Sequence, residues 1–184
     1  MKTIEINMPY GDDLVRATLP VSRILGTLDV TDTAGLEDRD HAIREAIENP
    51  VGFGKNIFQI VNPGETIAII VPDSFRTTRV DQILPVLVEG LIESGISERE
   101  IFFVYATGTH RNPTPKEEQK ILGDRIYKRF RNQTFAHDAS DKNNLVYIGT
   151  TSRGTKVQLN RHVQEADRII ATGSVVFHYF GGYG

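Results

Sequence analysis

Thr66-Ile67-Ala68-Ile69-Ile70-Val71 is a continuous apolar run, the signature of a strand buried on both faces rather than on one. The next segment is helical. Ile83, Leu84, Leu87, Val88, Leu91 and Ile92 recur at the spacing that lines one side of a helix, and Ser94-Gly95 supplies the stop. A second strand, Ile101-Phe102-Phe103-Val104-Tyr105, comes next. The helix after it opens on Thr114-Pro115-Lys116-Glu117, a capping box with proline at the first helical position.

Downstream, Leu145-Val146-Tyr147-Ile148 and Arg168-Ile169-Ile170-Ala171 read as two more strands, with Asn160 as the cap of a helix running to Asp167. Strands alternating with helices predict an α/β fold built on a mostly parallel, doubly wound, Rossmann-like sheet. Upstream the grammar differs. Thr3 to Met8 alternates, Tyr10-Gly11-Asp12-Asp13 turns and Leu14 to Leu19 returns, so residues 1–20 read as a β-hairpin ribbon appended to the sheet domain. A polar stretch then leads to a short helix from Asp40 to Asn49, stopped at Pro50.

Composition narrows the classes of function. The chain has 184 residues, 39% hydrophobic and 24% charged, enough for a packed core. Its net charge is −3, whereas a binder of the phosphate backbone carries a basic excess, so nucleic acid is not expected as a partner. There is no cysteine, which removes disulfides, thiolate metal sites and a cysteine nucleophile together. No apolar run approaches the ~20 residues of a membrane span, and Met1-Lys2-Thr3-Ile4-Glu5 lacks the apolar core of a signal peptide, which reads as a cytoplasmic protein without a membrane partner.

The polar, glycine-rich or histidine-bearing segments all come directly after strands: Asp73-Ser74-Phe75-Arg76, Thr107-Gly108-Thr109-His110, and Gly173 to His178. In open parallel sheets ligands bind beyond the carboxyl ends of the strands, so these distant segments are expected to converge. Gly108 permits close backbone approach, Thr107 and Thr109 can donate hydrogen bonds, and His110 at the rim can take or give a proton near neutral pH. The pattern is also that of a loop histidine without a task. His178 lies in a loop rich in aromatics and glycine, where the alternative is a partly buried, hydrogen-bonded histidine. Asp73 and Arg76 could hold a carboxylate or phosphate through the planar guanidinium, with Asp73 orienting it. The spacing does not separate Arg76 from Arg79 as the anion contact. His41, His137 and His162 read as solvated or structural, and no two histidines have the close helical spacing of a zinc site. No Walker-type loop or dinucleotide fingerprint follows a strand.

Ala106-Thr107-Gly108-Thr109-His110-Arg111-Asn112-Pro113-Thr114 and Phe177-His178-Tyr179-Phe180-Gly181-Gly182-Tyr183-Gly184 resemble the nickel-dependent lactate racemase family. The likeness extends, in order, to Pro9-Tyr10-Gly11, Asn49-Pro50, Pro63-Gly64, Gly149 to Thr155 and Glu165-Ala166-Asp167. It implies an isomerase that racemises or epimerises a lactate-like 2-hydroxy acid by hydride transfer to a nickel-pincer nucleotide. His110 and His178 would be its two general acid/bases, and Asp73, Arg76, Thr107, Gly108 and Thr109 its substrate or cofactor contacts. Phe75 stands where the family often has threonine.

In the family the closing glycine-tyrosine stretch runs on to a lysine that anchors the cofactor, then to a nickel-ligating histidine and a second domain. The sequence ends at Gly184, before these. The resemblance therefore implies the N-terminal catalytic domain of a two-domain enzyme, with its C-terminal domain absent, no metal ligand of its own and no turnover alone. Without the likeness, the residues are equally those of a nucleotide- or small-anion-binding domain or of a scaffold.

Overall fold

The computed structural model describes residues 2–27, 34–52, 54–76, 78–178 and 180–183, the last by its backbone alone. The chain divides into two compact units, Met1–Leu36 and Glu37–Gly184. The first is the expected ribbon. Strand β1 (Thr3–Tyr10) pairs antiparallel with β2 (Asp13–Pro20), in a register that sets Tyr10 against Asp13 and Thr3 against Pro20.

The second unit opens with α1 (Arg39–Glu48), whose first turn is capped by the Asp38 side chain accepting from the His41 N–H at 3.0 Å. Strand β3 (Ile67–Pro72), helix α2 (Val80–Glu93), strand β4 (Ile101–Ala106) and helix α3 (Pro115–Phe130) lie close to where the sequence puts them. Thr114 and Glu117 form the predicted capping box. The α3 span is broken at Gly123, where φ is 74° and ψ is 154°.

Two sequence readings need correction. Thr134–Ala136, not expected as a strand, is β5 and joins the parallel sheet beside β4. The stretch at Leu145 to Ile148 is a strand, β6 (Leu145–Thr150), but it lies outside that sheet. It pairs antiparallel with β7 (Lys156–Asn160) in a separate ribbon. Helix α4 (Arg161–Glu165) is capped by Asn160 as expected, though it is shorter, and β8 (Arg168–Ala171) returns to the sheet. A last small hairpin comprises β9 (Phe177–His178) and β10 (Gly182–Tyr183).

The central sheet is parallel with strand order β5-β4-β3-β8. Alternation decides its packing: Ile67, Ile69 and Val71 of β3 and Ile101, Phe103 and Tyr105 of β4 point to one side and are buried. They meet Leu84, Leu87, Val88 and Leu91 of α2 and Leu122, Ile126 and Phe130 of α3. Close packing needs a gap at Gly90, where a Cβ would run into the Phe58 ring. On the opposite side of the sheet, Phe102 meets Phe135 edge-on and Phe135 stacks on His162 at 3.7 Å, which makes His162 structural. No helix among the described residues is long and apolar enough to cross a membrane.

The order also fixes where a site can form. From β3 the chain moves outward through β4 to β5, then crosses to the other edge as β8. The direction of winding therefore reverses between β3 and β8, and the crevice at such a reversal is where open α/β sheets take ligands.

Candidate functional site

A groove of about 410 Å³ lies at the carboxyl ends of β3, β4 and β8, where Asp73, Arg76, Thr107, Gly108, Thr109 and His110 converge, with Thr172 closing the β8 side. Six of the seven candidate residues thus share one place. The groove straddles the winding reversal.

Asp73 is 4% exposed, and its Oδ2 lies 2.5 Å from Nδ1 of His110. Its other oxygen accepts the Phe75 N–H at 3.2 Å, and its backbone carbonyl accepts the Arg76 N–H at 3.2 Å. Asp73 therefore orients His110, not the Arg76 guanidinium as its sequence neighbourhood suggested. A buried carboxylate beside Nδ1 fixes the ring proton there and leaves Nε2 as the acceptor. The His110 side chain is half exposed and lines the groove.

The loop under His110 is equally determined. Gly108 takes φ 59°, a conformation that a side chain would disfavour, with no atom within 4 Å of where a Cβ would stand. The His110 N–H donates to the Thr107 carbonyl at 2.9 Å, and the buried Thr107 hydroxyl donates to the His137 carbonyl. His137, read from sequence as solvated or structural, supports the site through its backbone.

The two arginines differ in their surroundings. Arg79 is held by Asp81, with contacts of 3.1 and 3.3 Å, and it caps α2 with φ at 52°. Arg76 is exposed, and among the described residues no carboxylate pairs with its guanidinium. It stands between the groove and an adjoining hollow of about 470 Å³ that Arg79 and Lys120 also line. The Arg76 guanidinium is thus clear of the described carboxylates, whereas that of Arg79 is not.

Beside His110, outside the lining of the groove, three more side chains interlock. The Phe75 ring packs on the His110 ring at 4.6 Å, and the Arg111 guanidinium lies over Phe75 at 5.5 Å. Glu117 grips Arg111 with two contacts of 2.8 Å. That grip, helped by the Thr114 N–H, holds the Glu117 carboxyl far below the ordinary carboxylate range. The visible signal was Arg111 preceding a capping box. Its partner in that box could not be foreseen.

His178 sits apart from the groove lining. Its Nδ1 accepts from the backbone N–H groups of Phe180 at 3.1 Å and Gly181 at 3.3 Å. The neutral ring then carries its proton on Nε2, the opposite tautomer to His110. Around it Val175, Phe177 and Phe180 are 78%, 68% and 85% exposed. Tyr179 lies outside the described residues. Among the described residues no group of three histidine or carboxylate side chains could hold a metal ion. The groove, with its open Gly108 backbone and the exposed Thr109 beside it, has room for a flat organic group with hydrogen-bonding edges. Nickel would need donors other than these.

Residues 10–184 match the family model described as the lactate racemase N-terminal domain. The chain belongs to that family. Over 183 residues it is 30% identical to the lactate racemase of Thermoanaerobacterium thermosaccharolyticum, covering 97% of this chain and 41% of that protein. It is 26% identical over 183 residues to the lactate racemase of Lactiplantibacillus plantarum, covering 98% and 42%. The solved lactate racemase apoprotein from T. thermosaccharolyticum superposes with a TM-score of 0.76 at 28% identity, over 98% of this chain and 41% of that one. The chain thus spans about two fifths of the length of these lactate racemases.

Proposed function

We propose that this domain carries the proton-transfer half of a racemase acting on a lactate-like 2-hydroxy acid. The observation that carries the reading is the Asp73–His110 pair, whose contact of 2.5 Å leaves Nε2 of His110 as a base at the mouth of the groove. Removing hydrogen from an alcohol carbon as hydride is easy only if the hydroxyl oxygen gives up its proton in the same event, and a positioned imidazole does that near neutral pH. Arg76, unpaired among the described residues and adjacent, binds the substrate carboxylate through its fork of donors. The Thr107-Gly108-Thr109 loop lines the organic part of a nickel-pincer nucleotide, which when bound supplies the acceptor for the hydride.

A racemase needs a proton partner for each enantiomer, and His178 is the second in this reading. As it stands, its Nε2 is a donor. Accepting a proton at Nε2 requires its ring proton to pass to Nδ1, which breaks the two bonds from Phe180 and Gly181. The β9–β10 hairpin therefore rearranges when His178 changes role.

The test is interconversion of D- and L-lactate by the full-length protein supplied with nickel and cofactor. His110→Ala and His178→Ala should each abolish interconversion. Unchanged rates in both variants would end the reading. The unpaired Arg76 also suits a domain that binds a small anion without turning it over, and in that case lactate binds but neither enantiomer is converted.

A further inference from the structure

Phe75 is a large apolar side chain left 58% exposed, yet it is held from two directions. Its ring packs on His110 with centroids 4.6 Å apart and planes tilted by 60°, and Arg111 lies over it at 5.5 Å. Arg111 is itself fixed by Glu117 at 2.8 Å through both ends of its fork. The backbone beneath is pinned as well, because the Phe75 N–H donates to the buried Asp73 carboxylate at 3.2 Å. An exposed ring ordered this thoroughly offers a preformed apolar surface, and preformed surfaces bind without a further ordering cost.

We infer that Phe75 is a specificity-determining residue: a fixed phenyl wall beside His110 that selects 2-hydroxy acids carrying a branched or aromatic apolar group on the carbon after the hydroxyl-bearing one. The inference rests on the proposed function for its reaction, since it assumes that the substrate hydroxyl meets Nε2 of His110. A hydroxyl in hydrogen-bond reach of Nε2, ~3 Å, brings the groups on its own carbon to the edge of the imidazole. Phe75 is the apolar neighbour of that imidazole. The methyl of lactate is too small to use such a wall, whereas each added methylene against an apolar surface discriminates by ~10-fold or more.

The test uses the full-length protein with cofactor and compares lactate, 2-hydroxy-4-methylpentanoate and 3-phenyllactate in the wild type, Phe75→Thr and Phe75→Leu. The wild type should favour the two larger acids in kcat/KM by at least ~10-fold. Phe75→Thr should erase that preference by raising KM for the larger acids relative to lactate, and Phe75→Leu should restore part of it. Calorimetric binding of 3-phenylpropanoate, which has no hydroxyl and cannot react, is the second readout and should weaken ~10-fold in Phe75→Thr. Racemisation whose substrate ratio is unmoved by Phe75→Thr overturns the wall and leaves the function standing. Weakened 3-phenylpropanoate binding without conversion of any acid does the reverse. Equal loss for all three acids in both variants shows a merely structural ring and also overturns the inference.

Discussion

The Asp73 carboxylate and Nδ1 of His110 lie 2.5 Å apart although 37 residues separate them in the chain. The contact exists because β3 and β4 are parallel neighbours in register, with Pro72 beside Ala106, so the segments after them emerge side by side. Asp73→Asn keeps the shape but presents a group that can donate to Nδ1 and so favours the wrong tautomer. The kcat of the full-length enzyme should fall by on the order of 10²- to 10⁴-fold with KM little changed. Steady-state racemisation kinetics check it, and a loss below tenfold would show that His110 does not depend on Asp73.

Arg76 and Arg79 should behave differently. Arg76→Ala removes the unpaired guanidinium at the groove and should weaken 2-hydroxy acid binding by about 2 kcal/mol, roughly thirtyfold in KM. Arg79→Ala frees only Asp81, its partner in a pair screened by solvent, and should leave KM within about twofold. Equal effects would contradict the assignment of Arg76 as the anion contact.

Sequence periodicity made the two central strands and the two long helices legible, because buried parallel strands and one-sided helices impose unbroken and 3.6-residue patterns. Thr134–Ala136 escaped since three residues carry no period. Its place is fixed from outside, by pairing with β4 and by the Phe103 N–H donating to the Gln133 carbonyl at 2.9 Å. Leu145 to Ile148 looked like another sheet strand because an apolar run does not name its partner. Although the third segment, Gly173 to His178, lies outside the groove lining, the convergence of the segments after β3 and β4 was readable from topology. That Asp73 would turn to His110 and not to Arg76 was not, because it depends on the geometry of two loops.

Gly90→Ala should destabilise the fold, because the new Cβ collides with the Phe58 ring across the contact of the Ile57–Gln59 turn with α2. Overpacking of this kind costs about 1–3 kcal/mol, which the midpoint of urea unfolding would report. Phe58→Leu should recover part of the loss in the double variant. Additive losses would mean that the two residues do not meet.

Acid stability should depend on Glu65, which clamps Arg168 with contacts of 3.0 and 2.7 Å where β3 and β8 begin. The Arg168 hydrogen bonds, aided by the Asn62 N–H, lower its pKa from 4.5 to about 2. A carboxyl whose folded pKa is depressed contributes stability that is whole above the unfolded value and is lost as pH falls toward the folded one. Urea midpoints measured between pH 5 and pH 2 should therefore fall more steeply for the wild type than for Glu65→Gln. Parallel pH profiles would exclude the clamp as a source of acid sensitivity.

Glu117 belongs to two structures at once. It reciprocates the Thr114 cap at the start of α3, and it holds the arginine that lies over Phe75. Fraying of that opening turn consequently loosens the flank of His110, so amide exchange at the start of α3 gauges how well ordered the neighbouring histidine is at any moment.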